Sequence, residues 1–342
     1  MLAWAGRLLL VLTIALAARA TRAASQLEAF ASVEAGTAGL CSITPVFFPG
    51  GPAFSGTYGI PADFQACGFS ADSGAADDVE ASGSADASWT ASTPQFSGSS
   101  QAHAEFASLG AKASAANQNQ GNVLGNAAGA FGAFSDTLTV TSPTHPSGDG
   151  GYVVFDFAVD GQLGAHNGDY DAGVTRFLGR ASATVAVRVG TTPANVLTAQ
   201  VVLNGPQVPS TTPLHAAGFS ATHEPTGWTF AGSTAAHSPP LAFEFGTPFA
   251  FAAGLLAEVY PQTESAAAGD ASSNFFATAR LTGIEVLDAG RSPVSEFQIS
   301  SESGTRYVPE PERASRGAVA IAGLLALAGR ARRRALPSAP RP

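Results

Sequence analysis

The sequence predicts an all-β protein, an antiparallel β-sandwich with a jelly-roll-like topology as its expected form. Three observations lead there. Apolar and polar residues alternate with period 2 in many short runs; Val153, Phe155, Phe157 and Val159 oppose Asp156, Ala158 and Asp160. Turn formers punctuate those runs, with 38 Gly and 22 Pro in 342 residues. No strand–helix–strand spacing occurs, which argues against a parallel α/β sheet.

Taken in order, residues 1–24 read as a secretory signal peptide. Arg7 precedes an apolar run, Leu8 to Ala18, and small residues follow, so a signal helix is expected with cleavage near Ala20 or Ala24. Residues 25–100 read as a loop-rich N-terminal part. Within it, Leu27 to Val33 is a short helix or an opening strand. Ala71 to Ser88 is small and acidic and reads as an exposed loop. Residues 101–307 read as the sandwich body. Gln101 to Ala116 is alanine-rich, which favours helix. However, Ala102, Ala104 and Phe106 alternate with Gln101, His103 and Glu105, and alternation resumes one residue out of phase from Ala107. One strand with a β-bulge is expected.

Strands are then expected at Phe134 to Thr141, Tyr152 to Asp160, Ala181 to Val189, Val196 to Leu203, Trp228 to Ala231 and Leu241 to Phe245. Phe249 to Tyr260, Phe275 to Asp288 and Phe297 to Ser301 complete the set. Asp160-Gly161 and Asn204-Gly205 read as hairpin turns.

The chain ends differently. Val308-Pro309-Glu310-Pro311 is followed by a polar spacer, by thirteen uncharged residues from Gly317 to Gly329, and by Arg330, Arg332, Arg333 and Arg334. The prolines hold an extended backbone. The apolar run can form a short helix that enters a bilayer, and the arginines hold it on the cytoplasmic side. Residues 308–335 resemble the PEP-CTERM sorting signal of exported bacterial proteins, with 336–342 as a tail. Asn274 to Asp288, continued by Ser292 to Phe297, also resembles the closing strands of such proteins. The resemblance implies an exosortase-like processing enzyme and a transient inner-membrane intermediate. It implies a final place at the cell surface or in the extracellular matrix, with a structural role alongside exopolysaccharide and no catalytic residue. A basic, alanine-rich soluble helix is the alternative for the last segment.

Composition agrees with export. Between Ser25 and Val308 there are seven basic and 24 acidic residues, a net charge of −17, against −9 for the whole chain. A body with one lysine lacks the basic footprint that nucleic acid requires. The only two cysteines, Cys41 and Cys67, are expected to form a disulfide after export.

Chemistry-bearing motifs are few. No G-x-S-x-G, H-E-x-x-H, P-loop or dinucleotide fingerprint occurs, and His223-Glu224 is followed by Pro225, which breaks helical metal-ligand spacing. His103 and Glu105 share a strand face, as a conceivable ligand or acid/base pair or as a solvated face. Asn167, Asp169 and Asp171 place oxygens at alternate positions, as calcium loops do, but hydrophilic turn chemistry explains them as well. Calcium is the one cofactor the sequence raises. Trp89, Trp228, Tyr170 and Tyr58 could stack on sugar rings in a carbohydrate-binding module, though core packing suits both tryptophans. A secreted hydrolase with a carboxylate pair is the third function class.

Overall fold

The computed structural model describes residues 25–37, 74–118, 124–167, 177–204, 210–212, 218–263 and 268–307. The expected signal segment, Cys41 and Cys67 with their expected disulfide, and everything after Tyr307 lie outside them. All regular structure among the described residues is strand, and every pairing is antiparallel.

Two sheets form. The first contains β1 (Gln26–Thr37), β2 (Gly74–Glu80), β6 (Leu124–Thr141), β8 (Phe177–Val189), β9 (Thr192–Asn204), β10 (Ser210–Thr212) and β14 (Phe249–Thr263), in the order β10-β9-β8-β14-β6-β1-β2. β16 (Gln298–Ser301) joins β6 beyond the end of β1. The second contains β3 (Ala85–Ser92), β4 (Phe96–Glu105), β5 (Ser108–Asn117), β7 (Gly150–Asn167), β11 (Phe219–Glu224), β12 (Gly227–His237) and β15 (Gly269–Asp288), in the order β11-β12-β7-β15-β5-β4-β3. β13 (Leu241–Glu244) joins β7 beyond the end of β12. The sheets stack in matching order: β2 on β3, β1 on β4, β6 on β5, β14 on β15, β8 on β7 and β9 on β12. This is aligned sheet packing.

The core changes character across the sandwich. Under β1, β4, β5 and β6 the inward residues are small: Ala29, Ala31, Ala102, Ala104, Ala111, Ala113, Ala128 and Ala130 are all buried. The sheets approach closely there, and a Cβ on Gly132 would lie 2.4 Å from the His103 carbonyl oxygen. Towards β14, β15 and β7 the filling is aromatic. Phe155 and Phe251 stack across the sheets at 4.2 Å, with Phe134 edge-on to Phe251 at 5.6 Å.

Most expected strands form, and three expectations are corrected. The stretch Ala71 to Ser88 is not one exposed loop: Gly74–Glu80 is β2, and residues 85–88 open β3. The start of β3 lies at an edge over a thin core, where Ala85 and Ala87 suffice for burial while Asp86 and Ser88 face water; the larger Val79 of β2 is exposed and Trp89 of β3 is half-buried. The phase slip after Phe106 is not a bulge: Phe106 and Ala107 form a two-residue turn between β4 and β5. The Asp160-Gly161 turn is absent, and β7 runs straight through it. Glycine is needed there because a Cβ would meet the Phe275 ring at 2.3 Å. β4 also runs through residue 100, so the N-terminal part shares the sheets of the body.

Ala107 adopts φ +70°, a left-handed conformation that disfavours any side chain. Ala107→Gly is therefore expected to stabilise the protein by about 0.5–1 kcal/mol, the relief of strain exceeding the entropy glycine adds to the unfolded chain. Denaturant unfolding measures it. An equal or lower stability would mean that the Ala107 methyl contributes more by packing than its backbone costs.

Candidate functional site on the outer face of the second sheet

Alternation sends one set of side chains from each strand of the second sheet outward, and register arranges them in rows. One row reads Thr222, Thr229, Gly164, Ser272, Ser114, Ser99 and Thr90 across seven strands. The next reads Gln162, Asn274, Lys112, Gln101 and Ser88. Lys112 is the only lysine of the chain and is half-buried between Asn274 and Gln101. An open groove of about 390 Å³ lies across β4, β5 and β15, lined by Ser97, Ser99, Ser114, Ala116, Asp270 and Ser272. The Ser99 and Ser114 hydroxyls lie 2.8 Å apart on its floor.

Three histidines on this face each sit directly opposite an aspartate in register. His103 Nδ1 is 2.7 Å from Asp86, His166 Nδ1 is 3.0 Å from Asp270, and His237 Nδ1 is 2.6 Å from Asp156. The expected His103 and Glu105 pair does share a face, with Nε2 and Oε1 3.6 Å apart, but Asp86 is the closer partner.

His166 is the most connected of them. Its Nε2 lies 3.3 Å from Thr229 Oγ1 and 3.8 Å from Glu224 Oε2, and Thr229 donates to Glu224 Oε1 at 2.9 Å. Gly164 makes room: a Cβ there would lie 2.8 Å from Ser272 Oγ and 3.0 Å from His166 Cε1. The polarity of this chain decides what it can do. With the Thr229 proton given to Glu224, Thr229 can only accept from His166, so Nε2 carries a proton. Nδ1 faces a carboxylate and carries another. This arrangement of partners favours the doubly protonated ring, held between two carboxylates. Its pKa is raised chiefly by the hydrogen bond to Asp270, against the opposing effect of burial, with further help from the charges of Asp270 and Glu224. A base that activates a hydroxyl needs a bare nitrogen facing it. This geometry instead cross-links β7, β11, β12 and β15.

The remaining candidates scatter. His223 and Glu224 are neighbours on β11 and so point to opposite faces: His223 meets the Trp228 ring at 4.7 Å, while Glu224 reaches His166. Trp228 is half-buried over Phe230, and Trp89 is half-buried on β3. Asn167 ends β7 fully buried, its backbone N–H donating to Thr226 at 2.6 Å. Asp169, Asp171, Tyr58, Tyr170, the Val308–Pro311 motif and Arg330 to Arg334 lie outside the described residues. Among the described residues no group of three His, Cys, Asp or Glu side chains is placed to hold a metal ion, the His166 cluster included, and no helix is long and apolar enough to cross a membrane. The chain matches no protein-family model, and no curated protein or solved structure is similar to it.

The first sheet differs on its outer face, where Glu28, Ser32, Ser182, Thr184, Arg188 and Glu258 are buried. Burial pushes the Glu258 carboxyl from 4.5 up to about 7, against the pull of Arg180 and a hydrogen bond from Ser182.

These two groups give a pH dependence of one sign. Folded Glu258 holds its proton more tightly than the unfolded chain does, so stability falls as pH rises from 4.5 to about 7. The His166 contribution is complete below its ordinary 6.5 and is lost as pH rises through its raised value. The melting midpoint is therefore expected to be higher at pH 5 than at pH 8.5. Glu258→Gln should flatten the lower limb and add about 2–3 kcal/mol at pH 8, and His166→Gln should flatten the upper limb. A wild-type midpoint that rises with pH across this range overturns the assignment.

Proposed function

We propose that this protein is an exported, non-enzymatic component of the cell surface or extracellular matrix, processed at its C-terminal segment and associated with exopolysaccharide. One observation carries the processing reading most directly. Tyr307 is buried in the core of the described body, and the Val308-Pro309-Glu310-Pro311 motif follows it at once in the sequence. A sorting segment has to be dispensable for folding, and this boundary fits that need. The proposal includes an exosortase-like partner, an inner-membrane intermediate, a Cys41–Cys67 disulfide and a jelly-roll-like body in which β7 to β12 curl around one edge.

Two variants in a host carrying an exosortase test it. Pro309→Ala with Pro311→Ala should trap an unprocessed, membrane-bound form. Deleting residues 312–342 should leave the melting midpoint of the body unchanged. Mature extracellular protein that still contains residues 317–334 would refute the processing reading.

The groove on the second sheet favours carbohydrate binding as the way the body would engage its polymer. Serine hydroxyls, the Asp270 carboxylate and nearby amides suit a hydroxyl-rich ligand, and the Lys112 ammonium suits one that also bears carboxylates. Retention on an immobilised polyuronate should be at least tenfold weaker for Ser114→Leu, which fills the groove, and should fall with salt. Equal retention of the variant, or no retention of the wild type, rejects the groove.

A further inference from the structure

The last described residues carry no regular structure after β16, yet they are part of the core. Glu302 donates its N–H to Thr137 at 3.0 Å, and Gly304 turns the chain at φ +75°. Ser301 Oγ holds the Thr305 carbonyl at 2.8 Å. Tyr307 then enters the sandwich and is 4 % exposed. Its ring stacks on Phe134 at 6.0 Å and stands edge-on to Phe251 at the same distance. Its hydroxyl donates to Asp136 Oδ2 at 2.7 Å.

Asp136 is an inward carboxylate on β6, 3 % exposed, and among the described residues no cation pairs with it. Neutral donors satisfy it instead. Thr137 N donates at 2.8 Å and Ser303 N at 3.1 Å to Oδ1, while Ser303 Oγ and Tyr307 Oη serve Oδ2. Three of these four donors come from the tail. Burying a carboxylate is costly unless its oxygens are satisfied, and stripping its donors leaves the full desolvation penalty. The Tyr307 hydroxyl stays a donor well into alkaline conditions, since burial first and then the Asp136 charge raise its pKa above the ordinary range.

We propose that Tyr307 and Asp136 form a C-terminal latch that sets where proteolytic trimming of this chain stops. A cut after Tyr307 leaves every donor to Asp136 in place. A cut before Ser303 removes three of them and takes an aromatic ring out of the Phe134 and Phe251 cluster. The latch thus makes residue 307 the terminus of the protease-resistant body whichever enzyme acts on the segment beyond. It stands on contacts within the body and does not depend on the sorting reading.

Digestion of the full chain with proteinase K, followed by intact-mass spectrometry, tests it. The resistant wild-type fragment should end within a few residues after Tyr307. Tyr307→Phe keeps the ring and removes one donor. It should move the terminus back to about 301–303, or raise the trimming rate of residues 302–307 at least tenfold, with the rest of the fragment intact. Ser303→Ala is the milder second variant and should shift trimming in the same direction even if Tyr307→Phe folds poorly. Wild-type trimming that proceeds freely through residues 302–307 overturns the latch. So does an unchanged terminus and rate in both variants.

Discussion

Among the described residues, the strand ladders of the two halves of this sandwich meet only at β14 and β15. In the first sheet β14 is the sole link between β8 and β6, and in the second β15 is the sole link between β7 and β5. The chain curls around one edge with β1 to β6 and around the other with β7 to β12, then returns to fill the middle position of both sheets. The hydrogen bonds that make each sheet continuous are therefore supplied by the last stretches of the body. Such pairings are non-local, and loop closure must precede their reward, which makes all-β folding of this kind slow. The aromatic cluster of Phe134, Phe155 and Phe251 sits at this seam, and Tyr307 closes on it. The tail is thus attached to the part of the fold on which continuity depends.

The two outer faces solve different problems. That of the second sheet is solvated and built of hydroxyls, amides and cross-strand His–Asp pairs, whose register-opposite placement is the sheet's counterpart of helical i,i+4 pairing. That of the first sheet buries charged groups, Glu28, Arg188 and Glu258 among them. Burial raises the Glu258 pKa, while the exposed face gathers acidic side chains around His166 and raises its pKa by opposite means. One desolvated acid and one stabilised cation act in the same direction on stability, and protonation also relieves the self-repulsion of a net negative body.

What was legible in the sequence followed from period-2 alternation. It marks β7 most plainly, where Val153, Phe155, Phe157 and Val159 face in and Asp156 and Asp160 face out. It failed where size contrast was small. In β3, Ala85 and Ala87 alternate with Asp86 and Ser88 as strictly as valines would, but alanine on an edge strand resembles a linker. At Gly161 the local signal for a turn was genuine and lost to a non-local demand, the Phe275 ring arriving from β15. The His166 cluster was not legible at all. Its partners are 58, 63 and 104 residues away, and only register brings Asp270, Thr229 and Glu224 to one imidazole. The groove beside it is equally a product of register, since Ser99, Ser114 and Ser272 are unremarkable residues until β4, β5 and β15 align them.

The same reasoning explains why an irregular segment can be structural. Residues 302–307 have no ladder, so alternation offers no reason to count them in the core. Their place follows from the other side of the contact. Asp136 lies in the inward row of β6 between Phe134 and Leu138, where a carboxylate in that alternation is out of keeping with its neighbours. A buried carboxylate without a cation needs donors that the strand itself cannot supply beyond one backbone N–H. The anomaly in the strand and the tyrosine in the tail therefore account for each other. Neither residue alone announces a contact, but an inward acid in an apolar row requires a donor from elsewhere in the chain, and Tyr307 provides it.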